Sequence, residues 1–190
     1  MTHALIVVDA QNEFSAAGQR PVPNHTSALA VIAEHVDRAR RERRPIAWVR
    51  HHNKAGESPA FIPHSWGAEF SRGLGPLPGS DLEALFEKDV YGAFTGTDLE
   101  SWLRAVDVDA VLIVGFYTHM CLSTSAREAL VRGFQVSVDA QATGARDLED
   151  DVLGRQTAEE VRRAALLHLT DMGVKLAPPR SVAEAAEASR

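Results

Sequence analysis

Short runs of apolar residues recur along the chain, and they set its architecture. Ala4 to Val8, Pro45 to Val49 and Val111 to Val114 are almost uninterrupted. Such runs predict strands buried on both faces, as in a parallel sheet. Leu85-Phe86-Glu87, Val136-Ser137-Val138 and Val174-Lys175-Leu176 predict three shorter strands. Between the strands the apolar positions change to helical spacing. One set is Leu29, Ile32, Ala33, Val36 and Ala39; another is Leu99, Trp102, Leu103 and Val106; a third is Val161, Ala164, Ala165, His168 and Met172. Thr97 with Glu100 and Thr157 with Glu160 have the spacing of capping boxes, and Gly173 is placed to close the last helix. Thr118 reads as the N-cap of a further helix running to Gly133. Alternating strands and helices predict one α/β domain over residues 1–190, with a mostly parallel sheet of about six strands, helices on both faces, and a tail from about Pro178.

Periodicity is lost from Asn53 to Ser80, where Gly and Pro accumulate. A loop of that length inside a domain is often functional. It carries Phe61, His64, Trp66 and Phe70, enough aromatic surface to roof a small pocket. Gly73-Leu74-Gly75-Pro76-Leu77-Pro78-Gly79 superficially resembles a dinucleotide fingerprint. No strand precedes it and no helical pattern follows at once, so an NAD-binding reading is disfavoured.

Composition narrows the function. A net charge of −6 argues against nucleic acid as a partner, which needs a basic face. Arg40, Arg41, Arg43 and Arg44 are read as a solvated helix end, where cations suit the dipole. No apolar run approaches the roughly 20 residues of a membrane span, and no signal segment is recognised, so a cytoplasmic, membrane-free protein is expected. The chain has one cysteine, Cys121, which excludes an internal disulfide.

A lone cysteine is commonly a small buried hydrophobe. Cys121, however, is predicted in the first turn of a helix at the carboxyl end of a buried strand, where N–H groups and the helix dipole favour a thiolate. Asp9 and Lys88 follow two other predicted strands, and ligands bind at that edge of such sheets. Lys88 is placed to stabilise a thiolate, and Asp9 to take the thiol proton and return it to a leaving amine. Backbone N–H groups between Phe116 and Cys121 are placed to hold an oxyanion. These groups together describe acyl transfer from a small amide to water.

Three ordered motifs carry a family resemblance: Val7-Val8-Asp9-Ala10-Gln11-Asn12-Glu13-Phe14, then Lys88 to Phe94 with Thr97, then Gly115 to Thr118, Cys121 and Thr124 to Ala129. The chain resembles the isochorismatase-like cysteine hydrolases over nearly its whole length. The resemblance implies a Rossmann-like three-layer sandwich and an Asp9–Lys88–Cys121 triad. It also implies a cis peptide at Phe116–Tyr117 that aims the Tyr117 N–H, with that of Cys121, at an oxyanion. Assembly as a dimer or tetramer is implied as well.

Members act on nicotinamide, ureido acids, N-carbamoyl compounds, maleamate, biuret or isochorismate. Where nicotinamidases carry a metal-binding Asp-x-His, this chain reads Arg50-His51-His52. No carboxylate completes a ligand set with His51, His52 and His64, so no metal or other cofactor is expected. Glu13 replaces the motif's usual Asp. Gln11, Phe14, Trp66, Phe116 and Tyr117 are the expected substrate contacts. The expected activity is cleavage of a small carboxamide, ureide or N-carbamoyl substrate through a thioester at Cys121. The alternatives are vinyl-ether hydrolysis by Asp9 and Lys88 without the sulfur, and a non-catalytic binding protein on the same fold.

Overall fold

The computed structural model describes residues 2–177. Its elements are β1 (Thr2–Val8), α1 (His25–Arg41), β2 (Ile46–His51), β3 (Glu83–Lys88), α2 (Leu99–Ala105), β4 (Val108–Phe116), α3 (Ser123–Val131), β5 (Gln135–Gly144), β6 (Leu148–Asp150), β7 (Gly154–Gln156), α4 (Ala158–Asp171) and β8 (Lys175–Leu176). Six strands form one sheet in the order β3-β2-β1-β4-β5-β8. Every neighbouring pair is parallel.

Side-chain alternation divides β1 between two cores. Ile6 and Val8 face Leu99, Leu103, Ala126, Leu166 and Leu169 of α2, α3 and α4. Leu5 and Val7 face Ala28, Ile32 and Val36 of α1, together with Trp48 of β2. Because both faces are covered, the central strands carry no polar alternation, which is why their runs are legible in the sequence. Each Leu, Ile or Val fully withdrawn from water stabilises the fold by about 1.5–3 kcal/mol. The three-layer α/β sandwich agrees with the sequence-based expectation.

Several local expectations need correction. The Thr157–Glu160 capping box forms, with both reciprocal bonds present. The Thr97–Glu100 box does not: Thr97 Oγ1 donates to Ala93 O at 2.6 Å, while Glu100 is drawn off to Arg132 at 2.9 Å. On α4 the inward stripe is Val161, Ala165, Leu166 and Leu169. His168 is exposed and Met172 is half-exposed at the helix end. The basic run is not wholly solvated either. Arg40 forks onto Glu83 at 2.8 and 3.0 Å and lies over the Trp48 ring, whereas Arg41, Arg43 and Arg44 are exposed. An antiparallel pair, β6 with β7, follows β5 where no strand signal is read. The expected tail from Pro178 lies outside the described residues.

Candidate active site

In the sheet order the chain passes outward on either side of β1 and β4, and the crevice above their carboxyl ends is where such sheets bind ligands. β1 and β4 are in register from Ala4 opposite Val111 to Val8 opposite Gly115. Gly115 has φ +121°, and a Cβ there would stand 1.8 Å from the Val8 carbonyl oxygen, so only glycine lets these strands come together at the rim. Asp9 follows Val8 with φ 52°, the left-handed region that a non-glycine residue rarely adopts. Its N–H is held by Val49 O of β2 at 2.9 Å.

Lys88, the last residue of β3, reaches past β2 to the same point. Its Nζ donates to Asp9 Oδ2 at 2.8 Å, with both side chains fully buried. Burial disfavours the ammonium, but the Asp9 carboxylate beside it outweighs this and the Lys88 pKa is raised. Asp9 Oδ1 is buried with no hydrogen-bond partner. Cys121 lines the same cavity as Asp9, and the charges of Asp9 and Lys88 both act on its thiol. The structure thus gathers Asp9, Lys88 and Cys121 from three separate strand ends.

The ionisation state differs from the sequence-based expectation. Burial pushes the Cys121 thiol up, the Asp9 carboxylate adds to this, and Lys88 only partly opposes them. These surroundings favour the thiol over the thiolate. The local helix differs too. Cys121 lies in a π-helical turn, Thr118–Leu122, that precedes α3. Thr118 does not cap it through its side chain. Its hydroxyl donates to Thr143 Oγ1 at 2.8 Å, and Thr143 in turn donates to Gly115 O at 2.7 Å, tying the turn to β5. The Phe116–Tyr117 peptide is cis, as the resemblance implies.

Above the three residues lies a cavity of about 290 Å³. Phe14, Tyr117 and Met120 form part of its wall, and Phe61 and His51 another part. A larger hollow of about 400 Å³ opens at the amino ends of the strands, between His3, His35 and Lys175. It holds none of the three groups, so chemistry rather than size identifies the site.

Phe14 and Tyr117 line the cavity as expected, but three other expected contacts do not. Phe116 is fully buried beneath Phe14, with ring centroids 5.3 Å apart. Trp66 is 57% exposed and outside the cavity. Gln11 is consumed by backbone bonds: Nε2 donates to His51 O at 2.9 Å and Ala68 O at 2.7 Å, and Oε1 accepts from His51 N–H at 2.9 Å. These bonds fasten the long loop to β2, a structural duty.

His51, the last residue of β2, lies in the cavity wall beside Lys88. Burial, then the Lys88 charge, lower its pKa, so the ring is neutral. Nδ1 stands 3.3 Å from Lys88 Nζ and Nε2 stands 2.8 Å from Asn53 Oδ1. Asn53 uses its amide nitrogen on Ala60 O, so its oxygen faces the ring and accepts from Nε2–H. Nδ1 is left to accept from the ammonium. Among the described residues no group of three His, Cys, Asp or Glu is placed to hold a metal ion.

Glu13 also does more than its motif suggests. Its carboxylate accepts from the N–H of Phe61 at 3.1 Å and of Gln19 at 3.3 Å. Arg20 and Arg146, which sequence reasoning passed over, lie in the cavity wall as well. They belong to loops after β1 and β5, where no periodicity marks them.

Comparison with known proteins gives one consistent answer. A family model described as the isochorismatase domain matches residues 3–175. The uncharacterised isochorismatase family protein YddQ of Bacillus subtilis is 29% identical over 168 residues, 87% of this chain and 92% of that protein. Nicotinamidase 3 of Arabidopsis thaliana is 31% identical over 163 residues, 79% of this chain and 78% of that one. The crystal structure of an isochorismatase from Pseudomonas putida superposes with a TM-score of 0.84 at 31% identity, covering 93% of this chain and 87% of the other.

Proposed function

Since the chain belongs to the isochorismatase family of hydrolases, we propose that it cleaves the C–N bond of a small carboxamide, ureide or N-carbamoyl compound through a thioester on Cys121. The observation that carries this reading is the placement of Cys121 and Asp9 in one cavity, with Asp9 held in an ion pair by Lys88. One Asp9 oxygen is committed to Lys88, while the other is buried without a partner.

The protonated thiol fixes the order of events. As the sulfur attacks the carbonyl carbon, its proton passes to Asp9, so charge develops on sulfur only while the new S–C bond forms. Lys88 stays protonated and offsets the negative charge shared by sulfur and carboxylate. The carbonyl oxygen becomes an oxyanion, which the N–H groups of Tyr117 and Cys121 receive. Collapse of the tetrahedral intermediate expels the amine, which takes its proton from Asp9 and leaves as ammonia or a primary amine. Water then gives a proton to Asp9 and attacks the thioester. The sulfur leaves as a thiol once Asp9 returns that proton, and an acid is released.

Ammonia release from a panel of nicotinamide, maleamate, N-carbamoylglycine and biuret tests the reading. Mass spectrometry of rapidly quenched reactions should find acylated Cys121, and Cys121→Ala should lose activity by at least about 10³-fold. Full activity in that variant would favour hydrolysis by Asp9 and Lys88 alone. An inert wild-type protein across the panel would favour a binding role.

A further inference from the structure

Charge in the cavity wall is uneven. Asp9 is balanced by Lys88, which leaves Arg20 and Arg146 against Glu57. Glu57 accepts a 3.0 Å bond from the Lys54 N–H. The two guanidinium groups have only neutral partners among the described residues: Arg20 donates to Ser58 Oγ at 3.4 Å, and Arg146 to Asp147 O at 3.2 Å. Neither forms an ion pair there, whereas Arg40, Arg50 and Arg155 each meet a carboxylate.

Both arginines share the cavity wall with Tyr117. The Tyr117 hydroxyl donates to Arg20 O at 2.8 Å, which pins the arginine's backbone to the cavity wall. Burial pushes the Tyr117 phenol up to about 12, and the charges of Arg146 and Arg20 both act against that rise. Arg20, Arg146 and Tyr117 line the same cavity as the sulfur. The cavity thus combines two cations with the Cys121 sulfur.

We infer that Arg20 and Arg146 receive an anionic group of the substrate, so that the protein acts on amides or ureides that also carry a carboxylate. The inference rests on the hydrolase reading and narrows it. A guanidinium fork matches a carboxylate geometrically, and charge-assisted bonds of this kind are about twice as strong as neutral ones. At about 290 Å³ the cavity is at the small end for ligand sites, which favours compact acids over long chains. A neutral carboxamide would leave both cations to water and gain nothing from them.

The test compares each acid with an uncharged isostere: succinamate with 4-methylpentanamide, and N-carbamoylglycine with isobutylurea. Calorimetric binding to the full-length Cys121→Ala protein reads affinity whether or not the bond is cleaved. At least one acid should bind about tenfold or more tightly than its isostere. The preference should fall to about threefold or less when Arg20→Gln or Arg146→Gln is added, and Arg146→Lys should recover part of it. In the catalytically intact protein the same arginine variants should raise KM for the acid more than they lower kcat. Equal affinity for acid and isostere, a preference that survives both substitutions, or no binding by either acid would overturn the inference. Tight, arginine-dependent binding of acids that the wild-type protein never cleaves would instead count against the hydrolase reading and leave the anion site standing.

Discussion

Lys88 and Asp9 are joined at 2.8 Å across an intervening strand, and neither side chain is exposed to solvent. The pair therefore takes part in the fold as well as in the proposed chemistry. Removing one partner of a buried ion pair strands the other charge, at a cost of about 3–5 kcal/mol. Lys88→Met should lose about that much in urea denaturation. Adding Asp9→Asn should restore a large part of it, because no uncompensated carboxylate remains. A double variant as unstable as the single one would show that packing, not charge, sets the loss.

Asp9 raises the Cys121 pKa while Lys88 lowers it, so replacing the carboxylate should move reactivity and turnover in opposite directions. In the wild-type protein the buried thiol should react with iodoacetamide at pH 7 more slowly than a free thiol. Asp9→Asn should alkylate faster than wild type and hydrolyse amides at least about 10²-fold more slowly. Alkylation slowed in parallel with hydrolysis would contradict this balance of charges.

Glu83 is the structural acid on the other side of β2. Burial pushes its carboxyl up, but bonds from Arg40, the Trp48 indole and the Leu77 N–H outweigh this and leave it below the ordinary carboxylate value. A depressed folded value means that the unfolded chain takes up the proton more readily. The stabilisation is thus present above about pH 4.3 and is lost as pH falls further. Glu83→Gln should cost about 1–3 kcal/mol at pH 7. The gap between variant and wild type should narrow in chemical denaturation below pH 4.

His119 shows the opposite sign. Burial, then the Arg146 charge, lower its pKa to about 4, and neither ring nitrogen has a hydrogen-bond partner. Below about pH 6.5 the unfolded chain protonates this residue while the folded chain does not, so stability declines from there towards pH 4. His119→Phe keeps the ring that stacks on Tyr117 at 5.2 Å and should flatten that decline. Melting temperatures at pH 7 and pH 5 would check it, with an unchanged difference counting against the assignment.

What the sequence disclosed follows from what each residue type must do. β1 and β4 are legible because strands covered on both faces cannot afford polar positions. Asp9 and Lys88 stand out because they lie at strand ends, and Cys121 because it follows β4 closely. Thr157 and Glu160 announce a cap that forms, whereas Thr97 and Glu100 have the same spacing but find other partners in the tertiary structure. His168 is misread because a stripe of the form i, i+3, i+4 can be drawn one step round the helix, and Leu166 with Leu169 win the core. Arg20 and Arg146 are silent because loop residues have no period to betray which of them turn inward. For a related reason residue type alone does not place Gln11 and Trp66: the first is engaged by backbone groups and the second is exposed outside the cavity lining.

The Glu13 carboxylate has a practical corollary. It grips the amide of Phe61 and abuts Gly67, where a Cβ would stand 2.2 Å from its Oε2. The roof segment is thus keyed to a residue far upstream, like a lid cut for one particular jar. Anyone transplanting residues 53–70 from a homologue to alter selectivity would have to transplant the matching side chain at position 13 too, or the graft would sit unlatched.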